Sequence, residues 1–138
     1  MKSLPKSDKT LLLRTDFADD ALWMALCEAV QKPSPEGFEA RVDCISDPSF
    51  SELTVDQLVA LTRMGGDHTF VFLADRLALT SPDRPVLVVD LSDEPGRTFR
   101  VIPGSMWSVE NNLSLANMDY EEFADSVDAD GVFRGFPE

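Results

Sequence analysis

Four carboxylates are the first side chains in this sequence whose type and spacing could do chemistry. Asp16 closely follows the apolar run Leu11-Leu12-Leu13, Asp19 and Asp20 come just behind it, and Asp75 follows Phe70-Val71-Phe72-Leu73. Two apolar runs that each end in acid suit the carboxyl edge of a parallel sheet, where ligands bind at the point the strand order reverses. Carboxylates gathered there could hold a hard cation such as magnesium. Asp16, Asp20 and Asp75 are therefore a candidate metal or small-ligand set. The plainer use of the same residues is local. Asp16 would cap a helix, Asp19 and Asp20 would favour its positive end, and Asp75 would start a turn.

A second constellation lies near the C-terminus: Trp107, Glu110, Asn111, Asn112, Asn117, Tyr120, Glu121, Glu122 and Asp125. Trp and Tyr beside Asn and acids suit a protein interface. The plainer alternative is that Asn111-Asn112 close a helix, since Asn tolerates the left-handed conformation, and that Trp107 fills core. A helix over 120–127 would put Glu121 and Asp125 on one face and turn Phe123 and Val127 inward. After Gly104 the acids are Glu110, Asp119, Glu121, Glu122, Asp125, Asp128, Asp130 and Glu138, against the single base Arg134. An acidic face of this kind either solubilises the chain or docks a basic protein.

The remaining chemistry-bearing residues stand without partners in the sequence. His68 is the chain's one histidine and reads as a hydrogen-bonded structural residue. Cys27 and Cys44 are too few for a disulfide framework or a zinc site, and read as small buried thiols. Asp128-Ala129-Asp130-Gly131 has the middle of a calcium loop, but Ser126 and Pro137 occupy its first and last ligand positions, so it reads as a turn. Phosphate-loop, dinucleotide, zinc-protease and nucleophile-elbow motifs are absent. No catalytic residue and no cofactor are expected. Receiver domains of response regulators gather acids at the ends of their first and third strands as Asp16 and Asp75 do. They also need a Lys at the end of the last strand, where this chain has Ile102-Pro103.

The elements that must position these residues follow from the apolar pattern. Thr10–Thr15, Thr69–Ala74 and Val86–Leu91 are continuously apolar, the mark of strands covered on both faces. Phe38–Ser46 alternates, with Ala40, Val42 and Cys44 on one side, and reads as an edge strand. Thr98–Ile102 returns from the turn Ser92–Arg97 as the second arm of an antiparallel hairpin. Helices are expected from Asp16 to about Lys32 and over Thr54–Met64, with a possible turn at Arg76–Leu79. Shorter helices are expected over Ser105–Asn111 and Tyr120–Val127, with Leu113 and Leu115 extended between them. The expected fold is α/β: a three-layer sandwich around a mixed five-stranded sheet of order about 2-1-3-4-5. Helices cover both faces and short helices end the chain. The direction of the fourth strand stays open. Leu12, Val71, Phe72, Val88 and Val89 should form the core of the sheet.

The chain has 138 residues, 12 Lys+Arg against 25 Asp+Glu, and a net charge of −13. The length suggests one domain over 1–138, with 1–9 a loose polar arm. The charge argues against nucleic acid and anionic membranes as partners. No apolar run is long enough to cross a bilayer, and the first residues lack a signal peptide's apolar stretch, so a cytoplasmic protein is expected. The stretches Leu11–Phe17, Val86–Leu91, Glu94–Val101, Trp107–Ser114 and Asn117–Asp119 resemble a family of small acidic proteins from actinobacteria that is known as a domain of unknown function. That resemblance covers nearly the whole chain and implies a bacterial cytosolic protein that often stands alone as one domain. It brings no catalytic residues. The expected function is a non-enzymatic interaction module, of inhibitor or immunity type, that binds a basic protein; homo-oligomers are possible. The alternative is a small-ligand or magnesium site at Asp16, Asp20 and Asp75.

Overall fold

Three runs of apolar residues decide the architecture. The computed structural model describes residues 3–136. The run at Thr10–Arg14 forms β1, Phe70–Ala74 forms β3 and Val86–Asp90 forms β4. Every residue of β1 and β3 is buried, which requires cover on both faces. That cover is present. Leu12, Phe72 and Val88 pack with Trp23, Leu26, Met106, Val109, Tyr120 and Phe123 on one side. Leu11, Leu13, Val71 and Val89 pack with Phe50, Leu53, Leu58 and Leu61 on the other. The helices responsible are α1 (Asp20–Gln31), α3 (Arg76–Thr80), α4 (Met106–Ser114) and α5 (Tyr120–Ala124) on the first face, and α2 (Val55–Arg63) on the second.

The sheet is completed by β2 (Val42–Ile45), β5 (Thr98–Val101) and β6 (Val132–Phe133), in the order β2-β1-β3-β4-β5-β6. The first five strands stand in the expected order. β1 runs parallel to β2 and β3, with Leu12 opposite Cys44 and Phe72. β4 is antiparallel to β3, which settles its direction, and β5 returns antiparallel as the hairpin predicts. The hairpin turn is held by Asp90, whose two carboxylate oxygens accept from the Ser92 and Glu94 amides at 2.9 Å. Gly96, at φ +96°, donates its amide to the Asp90 carbonyl and packs within reach of Val55 and Val59 of α2.

Several boundaries differ from expectation. A sixth strand exists: β6 pairs parallel with β5 and places Phe133 in the core. The expected five-stranded sheet has no strand after the turn at Asp128–Gly131. β2 starts at Val42, because Phe38–Arg41 is engaged elsewhere. α4 continues to Ser114, so Leu113 lies on the helix, partly buried against the core, and is not extended. The N-cap of α1 is Asp19, which accepts from the Ala21 and Leu22 amides; Asp16 accepts only from Ala18. Of the N-terminal residues, Leu4 packs on the second core cluster and the Pro5 carbonyl accepts from His68 Nε2 at 3.0 Å.

Val88 is fully buried between Phe72 and Phe99 in the sheet register. An unpaired buried carboxylate costs several kcal/mol, against a total stability of about 5–15 kcal/mol. Val88→Asp should therefore abolish the cooperative thermal transition seen by circular dichroism. A soluble Val88→Asp variant that melts cooperatively would show that β4 is not central.

Candidate functional site

The carboxylates at the ends of β1 and β3 are not brought together. Each serves a different local partner. Arg14, the last residue of β1, is only 3% exposed. Its Nε donates to the Asp16 carbonyl at 2.9 Å, and its guanidinium lies 4.4 Å over the Phe17 ring. Asp20 Oδ1 sits 2.8 Å from Arg14 Nη2. This contact is an ion pair without the alignment of a hydrogen bond. Asp16 Oδ1 is taken by the Ala18 amide. Asp75 caps α3 through the Ala78 amide and holds Arg100 in a two-pronged pair at 3.0 and 2.7 Å. Among the described residues, no group of three or more His, Cys, Asp or Glu side chains is arranged to hold a metal ion.

The C-terminal constellation divides into an inner and an outer half. Glu110 is 4% exposed. Its Oε1 accepts from the Arg41 amide at 2.6 Å and from Asn111 Nδ2 at 3.1 Å; its Oε2 accepts from Ser114 Oγ at 2.7 Å. Asn111 also donates to the Glu39 carbonyl at 3.0 Å. Trp107 stacks on Phe38 with ring centres 4.6 Å apart. One face of α4 thus clasps the segment between α1 and β2. Asn112 bonds its own helix, donating to Ser108, while its carbonyl accepts from the Asn117 amide. The left-handed position after α4 falls to Ala116, at φ 56°, and not to an Asn. Tyr120 is buried, and its hydroxyl hydrogen is shared between the Val88 and Arg97 carbonyls, at 3.0 and 2.8 Å. Burial pushes the Tyr120 phenol well above its ordinary pKa, and the charge of Asp90 adds to that.

The outer half is Asn117, Glu121, Glu122 and Asp125, all exposed. The structure adds neighbours that sequence reasoning missed. Two adjoining hollows of about 190 and 150 Å³ share Asp90, Asp93, Asp119 and Tyr120. Phe70, Leu113 and Met118 give the first an apolar floor; Glu94, Arg97 and Glu121 rim the second. Asp119 is the N-cap residue of α5 but makes no side-chain cap bond. Arg97 is the one base of the groove and is occupied by Glu94 at 3.3 Å and Asp125 at 3.4 Å. Asp93, Asp119, Glu121 and Glu122 have no side-chain hydrogen-bond or ion-pair partner among the described residues. The sequence shows only that Asp93-Glu94 sit in a hairpin turn; that Tyr120 reaches this turn through the Arg97 carbonyl depends on the fold.

Two other hollows are larger but carry fewer uncommitted carboxylates. One of about 330 Å³ beside Leu77 and Val132 contains Arg100 and Arg134, both already paired with Asp. A larger one, about 800 Å³, lies between Ser3–Asp8 and Met64–His68, where His68 already bonds Pro5. The calcium-like loop is a turn, as its missing ligands imply. Asp128 accepts from the Asp130 and Val132 amides and pairs with Arg134 at 2.7 Å, which holds its carboxyl below the usual range.

The chain belongs to the DUF6924 family, a domain of unknown function whose model matches residues 9–136. No curated protein matches it. No helix among the described residues is long and apolar enough to cross a membrane.

The inner half is structural, and its removal should be visible as stability. Glu110→Ala strips the part-buried Arg41 amide and Ser114 hydroxyl of their acceptor. Leaving such groups unsatisfied costs about 1–3 kcal/mol each. Urea unfolding should show a loss of about 1–2 kcal/mol, since water can partly replace the lost acceptor, and the Arg41 amide should exchange faster with solvent. A loss below about 0.5 kcal/mol, the range of exposed substitutions, would contradict the clasp.

Proposed function

We propose that the chain is a non-enzymatic interaction module that binds a basic protein, and that the binding face is the groove between the β4–β5 turn and α5. The observation that carries this reading is a set of carboxylates with nothing inside the protein to neutralise them. Asp93, Asp119 and Glu121 line the two hollows beside an apolar floor, with the exposed Glu122 next in sequence, and share the region with a single base that is already paired. A net charge of −13 extends the same field over the whole molecule. Long-range attraction of this kind steers a basic partner and sets its register, while the apolar floor supplies contact area. An inhibitor or immunity-type role is the class of task such a face suits. A cytoplasmic setting fits this reading as well.

The structure moves the apolar anchor of this reading. Trp107 and Tyr120 are committed to internal contacts, so the half-buried Leu113 and Met118 take that role. Glu110, Asn111 and Asn112 likewise act inside the fold.

The test is affinity capture from an extract of the native host, the wild type against the combined variant Asp93→Asn, Asp119→Asn, Glu121→Gln, Glu122→Gln. The variant should fold normally, since exposed charges contribute little to stability. The wild type should retain a basic protein at low salt and release it as the Debye length falls below about 8 Å. The variant should retain at least about tenfold less, a difference of 1.4 kcal/mol in binding. Equal recovery of the same basic protein by both chains would show that these carboxylates only solubilise the surface.

A further inference from the structure

The only two cysteines of the sequence, 17 positions apart, meet in the fold. Cys27 lies on α1 and Cys44 on β2; both are free and half-buried against the same core cluster. The two thiols are near enough to perturb one another's ionisation. Gln31, one turn beyond Cys27 and on the same helix face, supplies a donor, with its Nε2 3.8 Å from Cys44 Sγ. The backbone path supports the meeting independently of the sulfurs. Cys44 is in register with Leu12 of β1, on the side of the sheet that α1 covers, and Leu26 and Val30 of α1 pack into that same cluster.

We propose that Cys27 and Cys44 form a peroxide-sensitive dithiol that closes to an intramolecular disulfide and fastens α1 to the edge strand β2. The two sulfurs have unequal roles. The nearby Cys27 thiol favours the thiolate of Cys44 and draws its pKa down, while the same contact and burial hold the Cys27 thiol well above the ordinary value. Cys44, whose sulfur also accepts from Gln31 Nε2, is therefore the attacking sulfur. Its thiolate attacks one oxygen of hydrogen peroxide. The O–O bond breaks, the second oxygen leaves as hydroxide and takes up the proton Cys44 has lost, and Cys44 becomes a sulfenic acid. The Cys27 sulfur then attacks the Cys44 sulfur. The S–S bond forms, the S–O bond breaks, and the hydroxyl leaves as water with the Cys27 proton. Two thiols are oxidised by two electrons and one peroxide is reduced to two waters. The bridge closes the Lys32–Arg41 segment, which α4 already clasps, into a covalent loop.

The test treats the folded full chain with hydrogen peroxide, blocks remaining thiols, and maps peptides without reduction. The expected product is a Cys27–Cys44 linked peptide, lighter than its parts by about two hydrogens and restored by dithiothreitol. Cys44→Ser should slow the reaction of the remaining thiol with peroxide at least about tenfold, as expected for loss of the better thiolate. Cys27→Ser should stop Cys44 at a sulfenic acid that dimedone traps. If either variant fails to fold by circular dichroism, the wild-type peptide map decides alone. Both thiols remaining free on the folded wild type, or disulfides forming only between chains, would overturn the proposal. So would Cys44→Ser reacting as fast as the wild type.

Discussion

The buried carboxylate of Glu110 is the interaction around which the C-terminal half is arranged. A carboxylate removed from water is tolerable only when hydrogen bonds replace its solvent. Here the Arg41 amide, the Asn111 amide group and the Ser114 hydroxyl do so. The first of these bonds spans 69 positions and ties α4 to the chain just before β2. It fixes where β2 can begin, since the Arg41 amide is spent on a side chain while its carbonyl accepts from Thr10 of β1. It also stands the face of α4 bearing Trp107 and Asn111 against Phe38 and Glu39. With α4 pinned, the loop after it delivers Asp119 and α5 to the β4–β5 turn.

Charge is then sorted by position. Acids near the ends of β1 and β3 neutralise arginines that the fold has partly or wholly buried, as Asp20 does for Arg14 and Asp75 for Arg100. Acids around the β4–β5 turn and α5 have no such duty apart from Asp90, which holds the turn, and Glu94 and Asp125, which share Arg97. Three such carboxylates, Asp93, Asp119 and Glu121, meet at one groove beside apolar side chains, while others, such as Glu28, Asp56 and Asp67, are unpaired elsewhere among the described residues. This sorting separates the two candidate sites that the sequence offered. One dissolves into caps and ion pairs, and the other keeps uncommitted carboxylates beside an apolar floor.

The sheet was legible because burial on two faces leaves a mark within five residues of sequence. Leu11–Leu13, Phe70–Leu73 and Val86–Val89 each show it, and the alternation around Val42 and Cys44 marks an edge. β6 was not legible: two residues carry no period, and Val132-Phe133 becomes a strand only because β5 offers it an open edge. The candidate site was half legible. Glu121, Glu122 and Asp125 showed as an exposed acidic face through their helical spacing. Trp107, Glu110 and Asn111 looked like surface chemistry because their partners, Phe38, Arg41 and Glu39, lie far away in sequence and no local pattern joins them. Arg14 passed unnoticed inside an apolar run. The meeting of Cys27 and Cys44 was equally hidden, since it depends on how α1 lies over β2.

The central claim is that a basic protein seats in the groove between the β4–β5 turn and α5. Hydrogen exchange of the chain in complex with its captured partner tests this most directly, because it reports where backbone amides become protected. New protection is expected over residues 91–97 and 117–125, with residues 38–41 and 107–111 unchanged. Protection confined to the Phe38–Trp107 side, or to the ends of β1 and β3, would contradict it.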